Sequence, residues 1–200
     1  MGAMTDPTLR DRIINTALLL AERRSWEAVR LHDVAAELGI ALADIQPQFR
    51  EKEDIVFAWF ERADLAMLGA ARAPGYAALT PRERIVHLLM AWLGALGPYR
   101  RVACQMVLNK FEPGHIHYQI AELLRISRTV QWLREAAHRD AVLPWRALEE
   151  TALTAVYLAT FGYWVQDDSP DAARTRAFAD RLLARGERLA RLVPGLQVAA

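Results

Sequence analysis

The segment Leu31–Lys52, LHDVAAELGIALADIQPQFREK, has the spacing of two short helices joined by a tight turn. One helix face is marked by apolar residues at i, i+3, i+4 and i+7, namely Leu31, Val34, Ala35 and Leu38. Gly39 follows as the residue type that most readily ends a helix in the left-handed conformation, and Ile45 and Phe49 supply the apolar side of the second helix. This layout predicts a helix-turn-helix.

Helical periodicity continues through the rest of the chain, which has no alternating pattern long enough for a strand. We predict further helices over residues 8–24, 51–71, 81–97, 99–110, 117–139, 145–165 and 170–192. The fold class is therefore all-α, with about nine helices. A break at Ala73-Pro74-Gly75 divides the chain into a three-helix domain over residues 5–52, a linking helix over 53–72 and a larger helical bundle over 76–200.

Two of these helices have a hydroxyl residue directly before a proline. Thr80 precedes Pro81, and Glu83 stands at the third helical position, which completes a capping box. Ser169 precedes Pro170 in the same arrangement. The sequence therefore predicts helices that begin at Pro81 and at Pro170.

The charge balance gives no sign of a polycationic protein, because 25 Lys and Arg stand against 24 Asp and Glu. Residues 1–52, which contain the helix-turn-helix, carry seven basic and eight acidic residues, a net charge of −1. The single cysteine, Cys104, cannot form an internal disulfide, which is typical of a reducing cytoplasm. Two uncharged runs, over residues 85–99 and 151–166, are too short to span a bilayer. We expect a cytoplasmic protein without a membrane span.

The predicted helix over residues 145–165 is apolar on almost every side, so most of its surface must be covered. The cover is either the rest of its own domain or a second copy of the chain. Of the two we expect the second copy, as a homodimer formed through the last two helices, about residues 145–192.

The first 60 residues resemble the tetracycline-repressor (TetR) family of transcriptional regulators. The segment RDRIINTALLLAERRSWEAVRLHDVAAELGIALADIQPQFREKEDIV follows that family's layout without a gap, from the apolar first helix through Val34-Ala35 and Gly39-Ile40 to Phe49 and Lys52-Glu53. The resemblance implies DNA binding by residues 5–52, and ligand binding and dimerisation by residues 76–200. It also implies the partners, double-stranded operator DNA and a small-molecule ligand.

The second helix of the motif departs from the family pattern at Ala41, Leu42 and Gln46. Members usually have a small hydroxyl residue, a polar or basic residue and an aromatic residue at these positions. Ala41 cannot cap the helix with its side chain, a loss on the order of 1 kcal/mol. If the helix begins at Leu42, Pro47 lies in its interior at a cost of roughly 3 kcal/mol. If Asp44 caps it instead, Pro47 falls in the first turn and the helix is very short.

The C-terminal segment RALEETALTAVYLATFGYWVQDDSPDAARTRAFADRLL is similar to the C-terminal domain of the ubiquinone-biosynthesis accessory proteins of the coenzyme Q pathway. The shared features are an apolar helix, an acidic Asp-Ser-Pro-Asp turn and a following helix with an aromatic residue and paired Arg and Leu positions. Those proteins have TetR-like architecture and bind isoprenoid lipid rather than operator DNA. The resemblance implies an alternative function, a lipid-binding accessory protein without DNA contact.

The candidate DNA-binding residues lie at the start of the first helix of the motif, along the second helix and just beyond it: Arg30, His32, Leu42, Ala43, Asp44, Gln46, Gln48, Arg50 and Lys52. Glutamine pairs with the N6 and N7 edge of adenine, and arginine and lysine reach phosphates. Asp44 repels phosphate unless it accepts a hydrogen bond from cytosine N4. The alternative interpretation is that these are ordinary solvated surface residues.

The candidate ligand-binding residues are large apolar side chains of the C-terminal half with one arginine as a polar anchor: Trp92, Met106, Phe111, Tyr118, Arg125, Trp132, Tyr157, Phe161 and Trp164. Aromatic residues at helical spacing also build cores, so the same residues are candidates for packing. A bundle rich in tryptophan and interrupted by glycine can leave a cavity between helices. The ligand would then be an apolar small molecule or a lipid.

No metal site, cofactor or catalytic activity is expected. His115 and His117 have alternate spacing, which directs their imidazoles apart on a helix, and no cysteine or further histidine stands near them. The chain has no glycine-rich phosphate loop or nucleophile motif, and its serines have no histidine partner at recognisable spacing. We therefore predict a non-enzyme, either a ligand-controlled DNA-binding regulator or the lipid-binding alternative.

Overall fold

The computed structural model describes residues 7–108 and 116–191, and for Leu108 and residues 116–125 it describes the backbone alone. Within these ranges the chain forms nine α-helices, one of them four residues long, and no strand. The helices are α1 (Leu9–Arg23), α2 (Leu31–Leu38), α3 (Leu42–Ile45), α4 (Lys52–Ala70), α5 (Pro81–Leu96), α6 (Arg100–Leu108), α7 (Ile116–Ala136), α8 (Trp145–Trp164) and α9 (Ala173–Ala190). The all-α prediction is confirmed.

The chain divides into two compact units. Among the described residues, the first unit holds residues 7–62 and 98–108, and the second holds residues 63–97 and 116–191. Helix α4 begins in the first unit and ends in the second. The functional division into residues 5–52 and 76–200 stays a prediction.

The first unit is built around α1, which packs against α2 and α6. Every helix of the unit contributes buried apolar side chains to its core, among them Ile13, Leu18, Val34, Ile45, Phe49, Ile55, Trp59, Val102 and Met106. Thr8 caps α1, since its hydroxyl accepts a hydrogen bond from the Asp11 N–H at 3.1 Å. The Asp11 carboxylate in turn binds the Arg62 guanidinium at 2.6 Å, which ties α4 to α1.

The turn between α2 and α3 is set by Gly39, as the sequence predicts. Gly39 adopts φ 66° and ψ 32°, in the left-handed region that glycine enters without a steric penalty. The N–H of Ile40 bonds to the Ala35 carbonyl at 3.0 Å and that of Gly39 to the Ala36 carbonyl at 3.1 Å. This pair of bonds is a Schellman motif, which satisfies carbonyls that the end of α2 would leave free.

In the second unit, α8 packs against α7 and α9, and α5 packs against α7, α8 and α9. The capping box at the start of α5 is confirmed. The Thr80 hydroxyl accepts from the Glu83 N–H at 3.3 Å, and the Glu83 carboxylate accepts from the Thr80 N–H at 2.8 Å. In the part of the chain that the structure describes, no helix is both long enough and apolar enough to cross a membrane.

The start of α9 differs from the prediction. A 3-10 turn spans Pro170–Ala172, and α9 begins at Ala173 instead of Pro170. Asp171 and Ala172 adopt left-handed φ values of 50° and 51°, which interrupt the helical path after the proline. The first N–H groups of α9 are therefore capped from before the 3-10 turn, where the Ser169 hydroxyl accepts from the Arg174 N–H at 3.0 Å and the Asp167 carboxylate accepts from the Thr175 N–H at 2.8 Å.

Candidate nucleic-acid interface and ligand cavity

One side of the α3 segment is buried in the core of the first unit, and the other side faces outward. Ile45 and Phe49 are almost completely buried in the core of the first unit. On the opposite side of the helix, Leu42, Ala43 and Asp44 are exposed. The predicted reading residues at the start of α3 are thus accessible, and their backbone is held by the packing beneath them.

The start of α3 follows neither of the two predicted alternatives. The helix begins at Leu42 and ends at Ile45, so Pro47 lies beyond its end and not in its interior or first turn. Ala41 is the N-cap residue and offers no side-chain acceptor, but the Asp44 carboxylate accepts a hydrogen bond from the Ala41 N–H at 2.9 Å. This bond satisfies one of the free donors before the helix, as the glutamate of a capping box does.

Lys52, a predicted phosphate contact, is engaged within the first unit. Its ammonium donates to the Trp26 carbonyl at 2.6 Å and to the Glu27 carbonyl at 3.3 Å. It also lies 4.6 Å from the centre of the Trp26 ring, within the range of a cation–π interaction. Burial lowers the pKa of Lys52. These contacts fix the loop between α1 and α2, and they leave the ammonium with fewer N–H groups to donate to a phosphate.

The remaining predicted polar residues differ in their exposure and in the contacts that their side chains make within the chain. The Arg30 guanidinium donates to the carbonyls of Glu27 and Val29. His32 is exposed, with its Nε2 3.6 Å from an Asp33 carboxylate oxygen. Gln46 is exposed and Gln48 is half-buried. The Arg50 side chain is exposed and has no side-chain partner among residues 7–108 and 116–191.

Arg10, on α1, supports the same region, although sequence reasoning did not single it out. Its guanidinium lies 4.4 Å from the centre of the Phe49 ring and donates to the Gln48 carbonyl at 2.8 Å. These two contacts hold the segment after α3 against α1. Only the long-range pairing of α1 with residue 49 reveals this role, because nothing in the local sequence of α1 signals it.

In the second unit, four predicted ligand residues form one aromatic cluster. The centre of the Trp92 ring lies 5.0 Å from that of Tyr157 and 6.2 Å from that of Phe161, and the Phe161 and Trp164 rings are 5.8 Å apart. Trp92 also donates from its indole N–H to the Asp64 carboxylate at 2.8 Å. Rings packed edge to face in this way fill space, as the core interpretation predicts.

The other predicted ligand residues are dispersed. Met106 is buried in the core of the first unit, and Trp132 is 48% exposed on α7. Phe111 lies outside the described residues, as do the side chains of Tyr118 and Arg125. Ligand binding by these five residues stays a prediction.

A cavity of about 360 Å³ opens between the start of α5, the start of α8 and the end of α9. Its apolar lining includes Ile85, Trp145, Leu148, Leu153, Val156, Leu182 and Leu183. Four charged residues also line it: Arg82, Arg139, Glu149 and Glu187. The volume is at the lower end of the range of roughly 300–1,000 Å³ that small-molecule pockets occupy. Of the predicted ligand residues whose side chains the structure describes, none lines this cavity. Sequence reasoning missed the lining because leucine and valine at helical spacing carry no distinctive signal.

One side of the cavity adjoins a buried ion network. Arg134 is 2% exposed, and its guanidinium bonds to Glu149 and Glu150, at 3.1 Å in each case. Glu149 also binds Arg139 at 2.5 Å, and Glu150 binds Arg146 at 2.9 Å. The two adjacent glutamates, which helical geometry directs to different faces, thus converge on a single guanidinium.

Asp167 provides the cap that α9 lacks at its own first residue. Its carboxylate accepts from the Thr175 N–H at 2.8 Å, the Thr175 hydroxyl at 2.6 Å and the Ser169 N–H at 2.9 Å. It also binds Arg174 at 3.1 Å. Burial by itself raises the pKa of Asp167, but the hydrogen bonds from Ser169 and Thr175 outweigh it, and the net pKa lies well below its usual range. The acidic turn of the sequence therefore locks α8 to α9.

We expect the variant Asp167→Asn to be less stable than the parent chain at neutral pH, with a difference that narrows as the pH falls below about 4. The folded-state pKa lies below the unfolded value of about 3.9, so the ionised carboxylate stabilises the fold above that pH. The contribution is lost as the pH falls through the lower folded value. Thermal unfolding between pH 2 and pH 7 measures it. Asp171→Asn, at an exposed position of the same turn, is the matched control, and an equal loss of stability for both variants would contradict the capping role.

The outward surface of α8 is apolar or small in character over the predicted dimer segment. Leu148 is 51% exposed and Leu158 is 46% exposed, and Ala155, Ala159 and Gly162 are exposed on the same helix. Helix α9 presents exposed arginines on its outer side: Arg174, Arg176, Arg181, Arg185 and Arg188. Its two acidic residues, Asp180 and Glu187, both pair with Arg82 of α5.

Comparison with known proteins finds that the chain is similar to the solved structure of a TetR transcriptional regulator from Nitrosomonas europaea ATCC 19718. The sequence identity is 47% and the TM-score is 0.80, over 90% of this chain and 98% of that chain. A TetR transcriptional regulator from Rhodococcus sp. RHA1 is 17% identical with a TM-score of 0.64, over 93% of this chain and 96% of that chain. The TetR family regulator PfmR from Thermus thermophilus is 18% identical with a TM-score of 0.54, over 87% of this chain and 98% of that chain. The last two bear on the fold alone.

The family model described as COQ9 matches residues 150–190. This segment covers most of α8, the acidic turn and α9, so the similarity predicted for the C-terminal segment is confirmed. No curated protein sequence matches the chain.

Proposed function

The chain belongs to the TetR family of transcriptional regulators, and from that premise we propose that it binds operator DNA as a homodimer under the control of an apolar small molecule. The observation that carries the proposal is the accessible surface of α3, held on the buried Ile45 and Phe49. Residues 5–52 form the DNA-binding domain of this proposal. Residues 76–200 form its ligand-binding and dimerisation domain.

The proposed DNA surface combines few cations with uncharged reading groups. Leu42, Ala43 and Gln46 stand along α3 and directly after it, and His32 stands at the start of α2. Arg50 is the most available phosphate contact, because Arg30 and Lys52 already donate to carbonyls of their own unit. Asp44 adds a negative charge beside them. The proposal therefore assigns on the order of two to three phosphate contacts to each subunit.

We expect a shallow salt dependence of operator binding. Four to six phosphate contacts in a dimer give a slope of about −4 to −5 in log K against log salt, since each contact adds roughly −0.9. Fluorescence anisotropy with labelled duplex from the DNA flanking its own gene measures the slope, with random duplex as the control. Arg50→Ala should flatten the slope by about one for each contact removed, whereas Arg128→Ala, at an exposed position of α7 outside the proposed DNA and dimer surfaces, should leave it unchanged.

Two outcomes would count against these statements separately. Equal affinity for the flanking duplex and for random duplex at moderate salt would defeat the proposal of operator binding. A slope of roughly −10 would leave operator binding intact but contradict the small number of phosphate contacts.

The proposed dimer forms through α8 and α9. The exposed Leu158, with Ala155, Ala159 and Gly162 near it, gives α8 an outward face on which a second helix can approach closely. A symmetric pair of such faces would bury the apolar side chains that α8 leaves exposed. The two DNA-binding domains would then reach successive half-sites, about 34–36 Å apart.

A second candidate function is favoured by the cavity together with the COQ9 match. The matching segment, residues 150–190, supplies Leu153, Val156, Leu182 and Leu183 to the lining. The alternative is an accessory protein that binds isoprenoid or acyl lipid and does not contact DNA. Solvent extraction and mass spectrometry of the purified chain would then find copurified lipid in stoichiometric amount, and a chain that neither carries lipid nor takes up added isoprenoid quinone would argue against it.

A further inference from the structure

We propose that Leu42 reads the C5-methyl group of a thymine, so that each operator half-site has a T·A pair beneath the start of α3. This inference rests on the proposed function and specifies the base that the DNA-binding surface recognises. It assigns the specificity of this chain to an apolar contact where a polar or charged side chain would ordinarily select a base.

The exposure of Leu42 is the first observation. Within the described part of the first unit, Leu19 and Leu42 are the two large apolar side chains with substantial exposure, and Leu42, at 51%, is the more exposed. The residue sits at the first position of α3. In a helix-turn-helix, residues near the start of the second helix meet the base edges in the major groove. An apolar side chain placed there has one apolar group to contact, the thymine methyl.

The neighbours of Leu42 offer no competing charged contact. Ala43 adds a second small apolar surface, and the amide of Gln46 suits the N6 and N7 edge of adenine. The Asp44 carboxylate accepts a hydrogen bond from the Ala41 N–H at 2.9 Å, and this bond stabilises the start of α3. Apolar groups and one amide favour a stretch of A·T pairs over G·C pairs.

The engagement of the nearby cations makes the apolar contact more important. Arg10 contacts the Phe49 ring and donates to the Gln48 carbonyl. Lys52 contacts the Trp26 ring and donates to the Trp26 carbonyl. A surface with few free cations gains little affinity from phosphates. A larger share of the binding free energy, and most of the discrimination between sequences, then comes from contacts to base edges.

The experiment begins with the full chain and a random-duplex library, from which bound sequences are selected and a consensus half-site is derived. Each consensus thymine is then replaced by deoxyuridine, which removes only the methyl group. We expect one position in each half-site at which this replacement weakens binding about fourfold, because burying a methyl group stabilises by about 0.8 kcal/mol. Replacement in both half-sites should weaken binding on the order of tenfold.

The variant Leu42→Ala tests the assignment to this side chain. It should bind the thymine duplex more weakly than the parent chain and should no longer distinguish thymine from deoxyuridine at the sensitive position. Leu19→Ala, on α1 of the same unit, is the matched control and should keep the full sensitivity. Circular dichroism and thermal unfolding establish that both variants are folded.

The possible failures separate the two proposals. Specific binding without any methyl-sensitive position, or equal methyl sensitivity in Leu42→Ala and the parent chain, would overturn the role of Leu42 and leave operator binding standing. Selection that yields no consensus at all would overturn operator binding and, with it, this inference.

Discussion

Replacing Arg134 with alanine is expected to lower the free energy of unfolding by about 3 kcal/mol, since it removes the centre of a buried ion network. Arg134 is 2% exposed and bonds to both Glu149 and Glu150. Without it, two carboxylates that lie near the cavity lose their shared partner. Arg139 still binds Glu149 and Arg146 still binds Glu150. The expected loss is therefore at the lower end of the range for breaking a buried ion pair. Urea denaturation followed by circular dichroism measures the change.

The matched control is Arg146→Ala, because Arg146 binds the same Glu150 from an exposed position. That pair lies at i, i+4 on the surface of α8, where water screens the interaction, and we expect a change within the error of the measurement. Arg134→Lys should fall between the two, since lysine keeps the charge but cannot bind both glutamates through one planar fork. Equal losses for Arg134→Ala and Arg146→Ala would contradict the central role of Arg134.

Replacing Trp92 with alanine is expected to cost about 3–5 kcal/mol, as large-to-small changes of buried aromatic residues do. Trp92 is 1% exposed, packs against Tyr157 and Phe161, and donates a hydrogen bond to Asp64. The variant loses the ring contacts and leaves a cavity among the aromatic residues. The free energy of unfolding from urea denaturation is again the measurement.

The control for Trp92 is Trp132→Ala. Trp132 is a tryptophan of the same unit, but it is 48% exposed, so its truncation should cost less than about 1 kcal/mol. The comparison separates the two interpretations of the aromatic residues. A loss below about 1 kcal/mol for Trp92→Ala would contradict its place in the core.

Local signals in the sequence were sufficient to predict where several helices begin and end. Gly39 predicts the end of α2, and Thr80 with Glu83 predicts the start of α5, because each depends on residues within four positions of one another. The same reasoning failed at Pro170, where the left-handed Asp171 and Ala172 delay the start of α9 to Ala173. Two side chains before the 3-10 turn cap α9. The Ser169 hydroxyl accepts from the Arg174 N–H at 3.0 Å, and Asp167 lies eight positions before the Thr175 it binds, beyond the reach of a capping pattern.

The candidate site was predictable in part. The spacing of Ile45 and Phe49 indicates which side of α3 is buried, so the exposure of Leu42, Ala43 and Asp44 follows from the sequence. The hydrogen bond from the Ala41 N–H to Asp44 does not follow, and neither does the short α3 that ends before Pro47. The aromatic residues identified in the second unit pack mainly on one another, whereas the cavity is lined mostly by aliphatic residues, with Trp145 and four charged residues, in a pattern that no motif distinguishes.

The sequence by itself determined the all-α class and the helix-turn-helix, because periodicity and turn residues act over a few positions and appear directly in the order of the residues. The family followed from the resemblance of the first 60 residues to its members, which the relative of 47% identity confirms. The tertiary structure alone decided which charges are available. Lys52 is held on Trp26, Arg10 on Phe49 and Arg134 between two glutamates. Those contacts join residues at least 15 positions apart along the chain, and their strength depends on burial, which exists only once the helices have packed.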